Sequence, residues 1–163
     1  MKNLLYCIAV ASCLVACEKN IQGNSTSNDD FVDLELTSGT KWKSANETNP
    51  NNVNGFYLYD EARTIFGNDL PTKEQWMELM NECEWTWTDA GYRVIGKNGQ
   101  SIVLPAAGDI SCDGQLYDDG KCGLYWSSTP NGSDNAWNLF FISGGVHIFS
   151  YLRCCSLSVR LVR

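Results

Sequence analysis

Residues 72–88 have the sequence TKEQWMELMNECEWTWT, in which the spacing of the apolar residues changes from helical to strand-like. The first part carries one apolar stripe at helical spacing, formed by Trp76, Leu79, Met80 and Cys83. The second part, Trp85-Thr86-Trp87-Thr88, alternates large and polar side chains, which is typical of a strand. The stretch therefore predicts a helix followed directly by a sheet, and we expect the stripe to pack in the core.

The ends of the helices are also marked in the sequence. Thr72 is followed three residues later by Gln75, the spacing of a capping box at a helix start. A shorter helix is predicted over residues 59–66, because Gly67 is a typical residue at a helix end.

Strands are predicted before and after the two helices. Val32, Leu34 and Leu36 alternate with polar residues, and Asn98-Gly99 predicts a tight hairpin. Further strands are predicted over residues 124–128, 135–142, 146–152 and 156–162. The predicted class is α+β, with two short helices followed by antiparallel strands.

The N-terminal residues predict export. Residues 1–16 combine an early cation with a short apolar run, as a secretory signal peptide does. Leu14-Val15-Ala16-Cys17 resembles a bacterial lipobox, in which the cysteine is acylated, although an ordinary secretory signal with an incidental cysteine stays open. Residues 17–30 are polar and predict a flexible tether for a domain over residues 31–163. We therefore expect a lipid-anchored protein of the cell envelope. The outer membrane is the favoured location, although the mixed flank Glu18-Lys19-Asn20 leaves inner- versus outer-membrane sorting open.

Composition excludes several classes of function. The net charge of −7 disfavours nucleic acid as a partner. The single histidine, His147, and the lack of a CxxC motif argue against a zinc site or a Ser/His/Asp set. Phosphate-loop and dinucleotide fingerprints are not found in the sequence. The sequence thus predicts no cofactor and no enzyme, but a membrane-anchored chain with an unknown protein or glycan ligand.

The cysteines suggest a disulfide. Of eight, Cys7 and Cys13 leave with the predicted signal peptide and Cys17 carries the lipid, which leaves Cys83, Cys112, Cys122, Cys154 and Cys155. Export permits disulfides, and Cys112 and Cys122 flank a short polar loop, so they are the candidate pair. Cys154 and Cys155 are adjacent and would project to opposite faces of a strand, so we do not expect them to pair with each other.

A series of motifs in chain order resembles one known family. The motifs are Leu70-Pro71-Thr72, Trp85-Thr86-Trp87-Thr88, Gly91-Tyr92, Leu104-Pro105-Ala106-Ala107-Gly108, Tyr125-Trp126-Ser127-Ser128 and Ser158-Val159-Arg160. They resemble the Fibrobacter succinogenes major paralogous domain over about residues 31–163. The resemblance implies a C-type-lectin-like fold, akin to formylglycine-generating enzymes and to the variable proteins of diversity-generating retroelements. It also implies a lipoprotein of a bacterium related to Bacteroides.

The resemblance further implies a ligand surface on the final strands. Family members typically carry Asn and Tyr there, and adenine changes in such codons produce the nine residues found here, Ile142, Gly145, His147, Phe149, Tyr151, Leu152, Cys154, Cys155 and Ser156. Retroelement mutagenesis and ordinary drift in a tolerant loop both explain this pattern. Strand alternation separately places Val146 and Ile148 on one face and His147, Phe149 and Tyr151 on the other. One face should therefore be core and the other a ligand surface.

Three other functions stay open. A structural envelope lipoprotein without a discrete ligand is compatible with every residue. An oxidase related to formylglycine-generating enzymes would use a cysteine pair, for which Cys154 and Cys155 are the candidates, although adjacent cysteines point apart. A calcium-dependent lectin would use Trp137-Asn138-Leu139, which lacks the usual final carboxylate, and the loop carboxylates Asp109, Asp113, Asp118 and Asp119. Such an acidic run is more typical of a solvated loop.

Overall fold

The computed structural model describes residues 30–50 and 55–163. The predicted signal peptide, the lipid site at Cys17 and all of the tether except Asp30 lie outside the described residues. Within the described ranges, no helix has the length and apolar character needed to cross a membrane.

The described chain forms two short helices and twelve strands, so the α+β class is confirmed. In chain order they are β1 Phe31–Asp33, β2 Lys41–Lys43, β3 Tyr57–Leu58, α1 Tyr59–Phe66, α2 Lys73–Glu82, β4 Glu84–Thr88, β5 Gly91–Ile95, β6 Ser101–Pro105, β7 Asp109–Ile110, β8 Leu116–Tyr117, β9 Cys122–Asn131, β10 Asn135–Ile142, β11 Gly145–Leu152 and β12 Ser156–Leu157. The strands form four small sheets, ordered β1-β2, β4-β5-β6, β11-β10-β9 and β3-β12-β7-β8, and the paired strands run antiparallel.

Helix α2 follows its sequence signals closely. The Thr72 hydroxyl accepts a hydrogen bond from the Gln75 amide at 3.2 Å, and the Gln75 side chain accepts one from the Thr72 amide at 2.8 Å. This confirms the capping box, which satisfies amides that a helix start otherwise leaves unpaired. Trp76 and Leu79 are fully buried, while Met80 and Cys83 are half-buried against the same core, so the predicted apolar stripe is confirmed.

The sheet of β9, β10 and β11 separates two hydrophobic cores. On one of its faces Leu139 and Phe141 pack in a first core with α2 and the β4-β5-β6 sheet. On the other face Leu124 and Ala136 pack in a second core with α1 and β12. Because successive side chains of a strand point to opposite faces, each strand of this sheet contributes to both cores.

Two expected strands are shorter in the structure. The opening strand ends at Asp33, because Glu35 has a φ of 55° and breaks the extended backbone, although Leu34 and Leu36 are still buried. The last strand includes only Ser156–Leu157. Beyond it the chain makes single bridges, from Ser158 to Tyr125 and from Val162 to Trp42. These residues contact two different sheets in turn, so no single strand partner extends along them.

Arg160 lies at the centre of this C-terminal segment and is 1% exposed. Its guanidinium donates to the Asn46 side chain at 2.9 and 2.7 Å, to the Lys43 carbonyl at 2.8 Å and to the Val103 carbonyl at 2.6 Å. Burial lowers the pKa of Arg160 to about 10. These hydrogen bonds compensate for the hydration that the buried charge has lost. Through them, the Arg160 side chain joins the segment that follows β12 to residues 43–46 and to β6.

Replacing this guanidinium tests its contribution to stability. We expect Arg160→Lys to lower the free energy of unfolding by about 3 kcal/mol, because one ammonium cannot reach three acceptors that lie on two separate segments. Urea unfolding followed by tryptophan fluorescence measures the change. Arg93→Lys is the matched control, because Arg93 is exposed and its Nε bonds to the Ser101 hydroxyl at the surface. Equal stabilities of the two variants would contradict the assignment.

Candidate functional site

Strand β11 is the outer strand of its sheet, and its two faces differ. Val146 and Ile148 pack against the first core, whereas His147 and Phe149 are exposed, Phe149 at 55%. The expected division into a core face and an open face is therefore confirmed for these four residues. Tyr151, on the same face as Phe149, is half-buried and packs against the second core.

A pocket of about 250 Å³ lies on this open face. Its apolar walls are Leu124, Phe140 and Phe149, and the Phe140 and Phe149 rings lie 6.2 Å apart between centroids. Its polar lining comes from Asp109, Asp118, Cys122 and Tyr151. An apolar cavity with a few converging polar groups is the usual form of a small-ligand site.

The loop before β9 brings Asp109 to this pocket. The Gly108 amide donates to the Cys122 carbonyl at 2.8 Å, and Gly108 forms a bridge to Gly123. Gly108 has a φ of +71°, and a Cβ there would lie 1.9 Å from the Tyr117 carbonyl oxygen. Only glycine permits this close approach to the end of β8, which lies next to the bridge between Gly108 and the start of β9.

Asp109 is buried, at 5% exposure, and its carboxylate accepts a hydrogen bond from the Tyr151 hydroxyl at 3.1 Å. Burial raises the pKa of Asp109, the nearby Asp118 carboxylate raises it further, and the Tyr151 hydrogen bond opposes both effects. Burial, together with the Asp109 charge, also raises the pKa of Tyr151. The pair is thus a carboxyl group and a phenol joined by one hydrogen bond in an apolar setting.

The disulfide expected between Cys112 and Cys122 is wrong, because the structure joins Cys112 to Cys154. Cys112 lies between β7 and β8, and this hairpin is held next to the turn before β12. Cys122 instead starts β9 with its side chain in the second core, where burial raises its thiol pKa to about 11. Spacing along the chain suggested the wrong partner because Ile110 at the end of β7 pairs with Ser156 of β12, which brings Cys112 next to Cys154.

Cys155 cannot belong to a ligand surface, because it is 2% exposed in the second core. Its neighbour Cys154 is exposed and pairs with Cys112, so the two adjacent cysteines are not joined to each other, as expected. The expected projection to opposite faces of a strand is wrong, because both lie in the turn before β12 with their sulfurs within 4.8 Å of each other. The Cys155 sulfur lies 3.2 Å from the Cys112 sulfur, and the three sulfurs form one cluster. Burial raises the pKa of the Cys155 thiol, which is the opposite of what a reactive thiolate requires.

Arg153, the nearest cation in sequence to these cysteines, is engaged elsewhere. It pairs with Asp60, donates to the Ser133 carbonyl at 2.8 Å and lies over the Tyr59 ring at 4.7 Å. The structure therefore gives the oxidase interpretation no activated thiolate.

The other predicted surface residues lie in separate places. Leu152 and Cys154 border a wider depression of about 620 Å³ beside α1. His147 lines a groove of about 350 Å³ against α2. Ile142 is 44% exposed at the end of β10, while Gly145 and Ser156 are half-buried. Of the nine predicted residues, only Phe149 and Tyr151 line the pocket with Asp109.

The residues proposed for calcium are dispersed. Asp113 accepts hydrogen bonds from the Gln115 amide and the Tyr117 hydroxyl, and Asp118 pairs with Lys121 at 3.6 Å. Asn138 is fully buried, and neither polar atom of its side chain has a partner among the described residues. The Trp137-Asn138-Leu139 sequence therefore does not present an amide at the surface.

Sequence reasoning placed Asp109 among the loop carboxylates and did not connect it with β11. Asp109 and Tyr151 are 42 residues apart, and no local pattern indicates their contact. Leu124 and Phe140, which complete the pocket, were expected only as strand residues.

Comparisons of the chain with known protein families, with curated proteins and with solved structures found no match. The site is therefore described by its own geometry.

Removing the disulfide tests its pairing. We expect Cys112→Ser to lower the free energy of unfolding by about 4 kcal/mol, from the chain entropy released across a separation of 42 residues. Cys154→Ser should lower the free energy of unfolding by less than this after refolding in an oxidised glutathione buffer. The Cys155 sulfur is 3.2 Å from the Cys112 sulfur, so Cys155 can form the disulfide with Cys112 in place of Cys154. Urea unfolding and non-reducing peptide mapping measure both effects. Equal losses with no new cross-link would count against this geometry.

The pH dependence of Asp109→Asn tests the buried carboxylate. The folded-state pKa of Asp109 is raised above 3.8, so its contribution to stability is present below that pH and is lost as the pH rises through the folded-state pKa. The variant lacks this loss, so its melting temperature should rise relative to wild type between about pH 3.5 and about pH 7.

Asp113→Asn is the matched control with the opposite sign. The Gln115 amide lowers the pKa of Asp113 below 3.8, so its contribution to stability is present above that pH and is lost as the pH falls, and this substitution should become destabilising as the pH rises to about 5. A pH-independent difference between wild type and Asp109→Asn would show that burial does not perturb this carboxyl.

Proposed function

We propose that this chain is a binding module of the cell envelope with a C-type-lectin-like fold, held at the membrane by a lipid on Cys17. The lipobox-like motif supports the anchor, and the six family-like motifs support the fold. The α+β architecture is compatible with that fold. The ligand surface is assigned to the last hairpin, β10 and β11, and to the pocket beside it.

The observation that carries this proposal is the exposure of large apolar side chains along the C-terminal strands. Phe149 is 55% exposed, Leu152 49% and Ile142 44%, and all three lie on β10 and β11. Phe149 also forms a wall of the Asp109 pocket. Exposed apolar side chains beside a cavity are typical of an interaction site, because a partner removes them from water.

The fold can tolerate sequence changes on this surface, which would alter the ligand that it binds. His147, Phe149 and Leu152 are exposed side chains on an edge strand, so their replacement leaves both cores intact. The family resemblance implies variation at such positions between close relatives. Cys155 is excluded from this set by its burial, and Cys154 by its disulfide.

A double substitution on this surface tests the binding function. Glycan arrays and arrays of cell-surface proteins are screened with the purified protein and with Phe149→Ala/Leu152→Ala. We expect every saturable signal to fall by about tenfold or more, because central apolar contacts contribute most of the binding energy of an interface.

The matched control is Ile65→Ala/Val103→Ala, which removes apolar side chains of similar exposure, 57% and 39%, from α1 and β6. This variant should bind as wild type does. Equal binding by both double variants, or no saturable ligand at all, would overturn the proposal and favour a structural envelope lipoprotein.

A further inference from the structure

The pocket beside β11 contains a buried carboxyl group, that of Asp109, which forms no salt bridge with any described residue. Burial and the nearby Asp118 carboxylate raise the pKa of Asp109, and the hydrogen bond from the Tyr151 hydroxyl lowers it. Lys121, the cation nearest in sequence, is 3.6 Å from Asp118, and its side chain is 77% exposed. Burying a carboxylate against a neutral phenol and a second carboxylate costs stability, and a cation in the pocket would offset that cost.

The walls of the pocket also suit a cation. Phe149 and Tyr151 present aromatic rings, and a ring face attracts an ammonium or guanidinium group. Leu124 and Phe140 supply an apolar surface for an alkyl chain. The volume of about 250 Å³ admits the end of one side chain together with its alkyl stem.

We propose that this pocket binds the cationic end of a lysine or arginine side chain of a protein ligand. The inference rests on the proposed binding function and names the ligand chemistry of the same surface. Asp109 is the charge partner of the cation, with Asp118 at the pocket edge, and Phe149 covers the alkyl stem.

A protein ligand is favoured over a glycan by the pocket lining. A neutral sugar ring offers no charge to neutralise Asp109, and it needs both donors and acceptors around its hydroxyls. The only hydroxyl in the lining, that of Tyr151, already donates to Asp109. The net charge of −7 also attracts basic partners over a distance.

The experiment measures binding of small probes to the full-length protein, purified in detergent, by isothermal titration calorimetry and by chemical shifts. The probes are Nα-acetyl-lysine methylamide, its arginine counterpart and the uncharged isostere Nα-acetyl-norleucine methylamide. We expect saturable binding of at least one cationic probe and binding of the norleucine probe weaker by about tenfold or more. Equal binding of the charged and uncharged probes would overturn the inference.

Variants locate the site of the probe. Asp109→Asn should weaken the cationic probe by about tenfold or more while the protein stays folded, because the amide keeps an acceptor for Tyr151 but loses the charge. Phe149→Ala should weaken it as well. Asp113→Asn, which removes an exposed carboxylate outside the pocket, is the matched control and should bind as wild type does. An effect of Asp113→Asn equal to that of Asp109→Asn would indicate only general electrostatic attraction.

Choline separates a side-chain cation from a lipid headgroup. Tighter binding of choline than of both amino-acid probes would overturn the assignment to a protein ligand. Displacement of the cationic probe by an array glycan would do the same.

This inference and the binding function fail differently. The cation site alone would be overturned by one set of results. In it, Phe149→Ala/Leu152→Ala abolishes array binding, Asp109→Asn leaves array binding unchanged, and the lysine and arginine probes do not bind. Array binding unchanged in both variants would sink the binding function as well.

Discussion

The rest of the structure depends on the burial of one guanidinium group. Arg160 is removed from water, which is costly, and the cost is met by acceptors on two distant segments, the Lys43–Asn46 region and Val103. Asn46 also donates to the Tyr125 hydroxyl at 3.1 Å, and Tyr125 donates to the Pro105 carbonyl at 2.8 Å. The beginning, middle and end of the described chain therefore meet in one polar network inside an apolar core. A fold built this way holds its last residues in place even though they form almost no regular strand.

A fixed C-terminal segment gives the binding surface a rigid base. The β9-β10-β11 sheet contacts one core on each face, and exposed apolar side chains remain on its outer strand, at Phe149 and Leu152, and at the end of β10, at Ile142. The Cys112–Cys154 disulfide and the Tyr151–Asp109 hydrogen bond then join the β7-β8 hairpin to β11 and the turn after it. The pocket between them is thus formed in advance, and a ligand loses little of its binding free energy to ordering the protein.

Local sequence patterns predicted the structural features that depend only on residues close together in the chain. The capping box of Thr72 and Gln75 gave the start of α2, and alternation gave the two faces of β11. Contacts between distant segments were not predictable in this way. The disulfide partner of Cys112 depends on the pairing of β7 with β12, and the Asp109–Tyr151 contact joins segments 42 residues apart, next to the bridge from Gly108 to Gly123. Alternation predicted that Cys154 and Cys155 point to opposite faces, but both lie in a turn with their sulfurs in one cluster, and the packing of the second core buries Cys155 alone.

The pairing of β2 with the last residues has a mechanical consequence. Lys41 and Arg163 exchange two backbone hydrogen bonds, of 3.0 and 3.1 Å, and the Lys43 amide donates to the Leu161 carbonyl at 2.9 Å. A pulling force between Asp30 and a ligand on β11 would therefore pass through β2, these hydrogen bonds and the C-terminal segment. From the C-terminal segment the tension would reach β9 through the bridge between Ser158 and Tyr125, and the Arg160–Val103 hydrogen bond would pass part of it to β6.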